Sequence, residues 1–212
     1  MNVKKSLLIQ LVMLVVAIAI STYYLTILPD IVPTHWNIHS QPDQYGSKWV
    51  PVLMTPCMVL FGIMLTLALP KMSPKNFEIE RFESTFAFSM VLCGALFLFI
   101  GIVFTRATVS PHMDIGRMMM SGIFIFFALL GNVMGKIRRN FYMGVRTPWT
   151  LADERVWDAT HRAAAHQWFV GGLIGAALAL AGVPIVVSIV LLMLLAFTPV
   201  VNSYVLYRKL VV

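Results

Sequence analysis

Two polar clusters interrupt an otherwise apolar chain. In LPDIVPTHWNIHSQPDQYGSKW, His35 and His39 are four apart and Asp43 is four further on, which on one helical face could bind a divalent metal. Pro33 and Pro42 oppose a continuous helix across all three. The stretch therefore reads as an irregular loop capping a bundle, with His35 hydrogen-bonded inside it and turns at Gln41, Pro42 and Asp43 and at Tyr45, Gly46 and Ser47. An ordered loop of this kind can meet an external ligand through His35, Trp36, His39, Asp43 and Lys48. The second cluster is NFYMGVRTPWTLADERVWDATHR, residues 140–162, where Arg146, Trp149, Trp157 and His161 are of the types that anchor protein interfaces.

The elements holding these clusters must cross a membrane. Hydrophobic residues make up 59% of the 212 and charged residues 12%, about half the roughly 25% charged fraction of a soluble domain. A spanning helix needs roughly 20 apolar residues. Such runs occupy 6–28, 51–69, 85–105 and 118–135, and the apolar run 169–207 is long enough to belong to two spans, divided by the Gly and Pro of AGVP at 181–184. The expected fold is an all-α integral membrane protein with six transmembrane helices. Lys4, Lys5 and the run after them resemble a signal peptide, but apolar sequence continues to Leu28, beyond a signal core, and reads as an uncleaved anchor.

Charge orients the bundle. Of the 16 Lys and Arg, only Lys48, Arg106 and Arg117 fall on the side opposite the termini, so the positive-inside rule places both termini and the 140–162 stretch in the cytoplasm. The net charge of +7 then reflects topology and anionic inner-leaflet lipid, with no call for direct nucleic-acid binding. All five Trp lie outside the apolar centres, and the Tyr cluster near span ends, as an interfacial belt predicts. Cys57 and Cys93 lie inside spans and read as small apolar residues, not a disulfide. The nine acids fall in loops or at their edges, which weighs against proton-coupled transport. The sequence has no HExxH, GxSxG or P-loop pattern, so it reads as no enzyme and calls for no cofactor. Gly171, Gly175 and Ala179 on one helix, and Gly131 and Gly135 on another, form small-residue faces for bundle packing or homodimerisation.

Within the second cluster Gly144 can supply a tight turn, and Pro148 pushes Thr147 into an extended conformation. Thr150 followed by Asp153 has the form of a helix N-cap. A single fifth helix over 151–181 would be roughly 46 Å long at about 1.5 Å per residue, so its first turns extend into the cytoplasm or lie along the interface. There Trp157, His161, Ala164 and Trp168 share one face, while Asp158 and Arg162 are spaced as an i,i+4 pair.

These residues carry a resemblance. Asn140, Gly144, Arg146, Thr147, Trp149, Thr150, Trp157 and His161, followed by the glycine-rich span beginning at Gly171, resemble the signature of the SdpI family of bacterial membrane immunity proteins. The loop around His35 resembles the N-terminal domain that often accompanies that family, with Ser40 standing where the pattern has a glycine. The resemblance implies a two-helix unit over 1–70 with an outer loop at 29–50, and a four-helix unit over 71–212 with the signature loop at 136–165. It further implies protection from a secreted toxin peptide bound outside, and a cytoplasmic repressor sequestered at the signature loop. A small-solute channel or transporter is the rival class, and a metal-dependent sensor using His35 and His39 is a third.

Overall fold

The computed structural model describes residues 1–75 and 77–212. Helix α1 (Val3–Ile27) leads into strands β1 (Ile31–Trp36) and β2 (Pro42–Ser47), followed by α2 (Trp49–Met72). A 3-10 turn (Ile79–Phe82) opens α3 (Glu83–Ala107), then come α4 (Ile115–Met134), the short α5 (Pro148–Ala152), α6 (Glu154–Leu180) and α7 (Ile185–Leu210). All but α5 are long and apolar enough to cross a membrane, six helices as expected among the described residues.

The helices are apolar outside and more polar within. In α1 the buried residues are Ser6, Gln10, Ala17 and Ser21, whereas Leu8 is 64% exposed. Lipid gives apolar side chains no reason to turn inward, so small and hydrogen-bonding residues take the helix interfaces. Gln10 shows the arrangement: its Nε2 donates to Ser6 Oγ and Thr66 Oγ1, each at 3.0 Å, tying α1 to α2. Ser6 Oγ in turn donates to the Ala87 carbonyl of α3 at 3.0 Å. Cys57 and Cys93 are both free.

Helices α4 and α6 make the most extensive helix contact, and glycine permits it. A Cβ on Gly131 would stand 2.5 Å from the Phe169 backbone nitrogen, and one on Gly172 would stand 2.5 Å from that of Ala128. The small-residue face expected from Gly171 and Gly175 is divided. Gly175 packs on Phe124 of α4, but Gly171 meets Leu195 of α7.

Three expectations change. The fifth span does not begin at Thr150: Thr147 caps α5, with Thr150 completing its capping box, and the backbone turns extended at Asp153 before α6 starts. The reason is that Asp153 can itself accept from the Arg155 N–H, at 2.8 Å, and so caps a new helix. Trp157 and Trp168 are core residues and no part of an interfacial belt, at 0% and 9% exposure. Their indole N–H groups donate to the carbonyls of Ile137 (2.8 Å) and Leu195 (2.9 Å), which makes burial inside the protein tolerable. Finally, Asp158 and Arg162 form no ion pair among the described residues, where Asp153 pairs with Arg155 instead.

Candidate functional site

The signature residues converge at the end of the bundle where α4 stops and α6 begins. Asn140, fully buried, organises the turn: its Nδ2 donates to the carbonyls of Arg138 (2.8 Å) and Met143 (3.2 Å), and its Oδ1 accepts from the N–H of Tyr142 (2.8 Å) and Met143 (2.7 Å). One side chain thus satisfies four backbone groups of a loop that has no ladder of its own.

Gly144 follows with φ +97, and a Cβ there would lie 2.2 Å from His161 Nε2. Both the backbone angle and the close approach of the ring require glycine. His161 accepts from the Val145 N–H through Nε2 at 3.0 Å, which leaves Nδ1–H to donate to the Trp157 carbonyl at 2.8 Å. The two rings stack at 4.0 Å. Beyond Val145, Thr150 Oγ1 donates to the Val145 carbonyl at 2.8 Å, and Thr147 Oγ1 lies 3.0 Å from Ser203 Oγ of α7. Trp149 packs on Tyr204, also of α7, with ring centroids 5.0 Å apart. Arg146 is exposed, and its guanidinium donates to the Phe141 carbonyl.

This geometry divides the expected docking residues. Trp157 and His161 are sealed inside and cannot touch a partner, because the face they share is covered by the 137–145 loop. Arg146, exposed, and Trp149, half-buried, remain accessible.

The opposite end carries β1 and β2, where an irregular loop with an interior His35 was expected. They pair antiparallel, from Ile31 opposite Ser47 to Trp36 opposite Pro42. The turn lies at residues 37–41, not within β2: Asn37 Oδ1 accepts from the N–H of His39 (2.9 Å) and Gln41 (3.1 Å), closing the loop that the two prolines could not. Pairing points His35 outward, where it bonds to Asp43 across the hairpin. Val32 is buried with Leu28 and Val52, and Trp36 stands edge-on to Phe104 at 5.1 Å, so the hairpin does cap the helices. Lys48 pairs with Asp30 at 3.0 Å. No group of three or more His, Cys, Asp or Glu suited to a metal occurs among the described residues.

At the hairpin tip Ser40 has φ +58, the left-handed region where glycine is usual, and this accounts for the glycine of the family pattern at that position. Here the serine does more than turn the chain. Its Oγ donates to Asp114 Oδ1 at 2.7 Å and accepts from the Gly116 N–H at 3.1 Å, fastening the hairpin to the start of α4. His39 borders a small cavity between the hairpin tip and the start of α4. Asp114 is held below the usual carboxylate range chiefly by the backbone N–H of Arg117, against the opposing effect of burial, with Ser40 and the Arg117 charge each adding a smaller lowering. Sequence reasoning missed Ser40, Asp114 and Arg117 as a unit. The available signal was Asp114 as an N-cap three residues before Arg117.

The two ends correspond to two family models. Residues 12–60, covering most of α1, the hairpin and half of α2, match a domain of unknown function (DUF1648). Residues 136–203 match the SdpI/YfhL protein family. The chain is also 30% identical to Immunity protein SdpI of Bacillus subtilis (strain 168) over 186 residues, 86% of each chain. The chain belongs to the SdpI family. No solved structure matches it. The SdpI/YfhL match begins at the end of α4 and closes on Ser203, the α7 residue against which Thr147 is set, so it brackets the whole knot around Gly144 and His161. With six spanning helices, this SdpI-family chain is a multi-pass membrane protein.

Proposed function

We propose that this chain is an immunity protein, not an enzyme, protecting a bacterium from a secreted toxic peptide. The observation that carries the reading is the 30% identity to Immunity protein SdpI across 86% of both chains. In this reading the hairpin end faces outward and both termini and the signature end lie in the cytoplasm, an orientation supported by the scarcity of Lys and Arg at the hairpin end. Residues 1–70 form the unit that meets the toxin, and residues 71–212 the unit that answers it. His39 and the hairpin tip meet the peptide, while His35 with Asp43 and Lys48 with Asp30 hold the hairpin in shape.

The finer part is signalling. A toxin-occupied chain holds a cytoplasmic repressor through the exposed Arg146 and Phe141, with Trp149 beside them, while Trp157 and His161 keep the loop in register from inside. Lipid supplies the remaining contacts.

Expression in a toxin-sensitive strain followed by challenge with the peptide tests immunity. Survival is expected, and unchanged killing removes the reading for that toxin. For signalling, Arg146→Glu with Phe141→Ala is expected to abolish membrane recruitment of the repressor while the chain stays in the membrane. Recruitment that survives both changes places docking elsewhere.

A further inference from the structure

A cavity of about 170 Å³ lies between the hairpin tip, the start of α4 and the α6–α7 turn. That is below the roughly 300–1,000 Å³ of sites that enclose a whole drug-sized ligand, so it suits one end of a longer molecule. Its polar wall is built. Arg117 lies along Gly182, whose φ is +82 and where a Cβ would stand 2.4 Å from Arg117 Nη2. Nε of the same guanidinium faces Asp114 Oδ2 at 3.6 Å. Its Nη donors have no hydrogen-bond acceptor among the described residues. Ser188 also lines the cavity and is 2% exposed, and its hydroxyl likewise has no hydrogen-bond partner among them. Met120 and Ile185 add apolar lining.

The Ser188 hydroxyl and the Arg117 guanidinium, whose side chain is 45% exposed at the cavity, can together donate to an anion with two oxygens. Asp114 beside them is an acceptor with capacity to spare on Oδ2, and calls for an adjacent N–H. A peptide's C-terminal residue offers all three features: a carboxylate, the amide N–H one carbon away, and an apolar side chain. A phosphodiester offers no N–H. We propose that this cavity binds the free C-terminal carboxylate of an apolar peptide, through Arg117 and Ser188, with Asp114 taking the last amide N–H. The proposal rests on the reading of the chain as a receptor for a secreted peptide, and names the part of the peptide that is read.

The test uses the full chain in phosphatidylcholine nanodiscs and an acetylated apolar tripeptide ending in leucine, as the free acid and as the C-terminal amide. Calorimetric titration is expected to give at least tenfold tighter binding of the acid. Arg117→Gln is expected to erase that preference and Arg117→Lys to keep part of it. Ser188→Ala, which removes a hydroxyl without a partner and so leaves folding intact, is expected to weaken the acid severalfold and the amide little. Equal binding of acid and amide, binding of neither, or a preference that survives Ser188→Ala and Arg117→Gln overturns the proposal. So does displacement of the acid by phosphatidylglycerol in an Arg117-dependent manner, which makes this a lipid headgroup site. Protection from toxin in cells without acid preference in vitro sinks this site and leaves immunity standing, while acid preference without protection does the reverse.

Discussion

The backbone N–H of Val145 donates to Nε2 of His161 at 3.0 Å, across 16 residues of chain, with Gly144 against the ring. A loop that leaves the end of α4 is thereby pinned to the second turn of α6. Substituting His161 with Phe leaves a buried N–H without an acceptor, which costs about 1–3 kcal/mol. Amide exchange at Val145 should be slow in the parent and fast in His161→Phe. Equal exchange rates contradict the bond's role.

Gly144→Ala meets two obstacles at once. The positive φ costs a non-glycine residue about 1–2 kcal/mol, and the new methyl would lie 2.2 Å from His161 Nε2. For a chain of this size each kcal/mol shifts the melting temperature by about 2–4 °C, so a fall of at least several degrees is expected in detergent. A variant that melts with the parent rules out the arrangement.

Thr147 both caps α5 and meets Ser203 of α7 at 3.0 Å. Thr147→Val is expected to cost about 1 kcal/mol from the cap. A double-mutant cycle with Ser203→Ala isolates the interhelical part, expected near 0.6 kcal/mol, the average for such bonds in a membrane protein. Zero coupling indicates that the two hydroxyls act independently.

Gln10→Leu is predicted to be mild, although Gln10 is fully buried. Both hydroxyls it touches keep a carbonyl acceptor without it, Ser6 at Ala87 and Thr66 at Gly62. No polar group is orphaned, and the loss should stay under about 1 kcal/mol. A melting temperature lowered by ten degrees points instead to a functional polar path through α1.

Asp153 caps α6, and its pKa is lowered to about 2, chiefly by the Arg155 side chain. The carboxylate form is the one the fold favours, so its contribution is complete above about 3.9, the ordinary Asp value, and is lost as pH falls toward 2. Carboxyl titration followed by NMR should find that low midpoint, and Arg155→Ala should raise it. An ordinary midpoint in the parent means that Arg155 does not hold the cap.

Much was decided along the chain itself. Apolar run length alone dictates the number of spanning helices, because nothing shorter crosses the hydrocarbon. Pro148 forces Thr147 to be extended, at φ −97 and ψ 162, and Gly144 marks a turn that only glycine accommodates. These are local constraints, set by sterics within a few residues. Whether Trp157 and His161 faced lipid, water or protein was not local: a helical period puts them on one face but cannot say what covers it, and the 137–145 loop does. The hairpin was hidden for a related reason, since strand pairing and the Asn37 turn stabilise each other while each alone resembles irregular loop. The contact of Ser40 with Asp114, separated by 74 residues, exists only because the hairpin folds over the helix ends. The cavity beside it follows from the same closure, which brings Arg117, Gly182 and Ser188 from three helix ends to line one space.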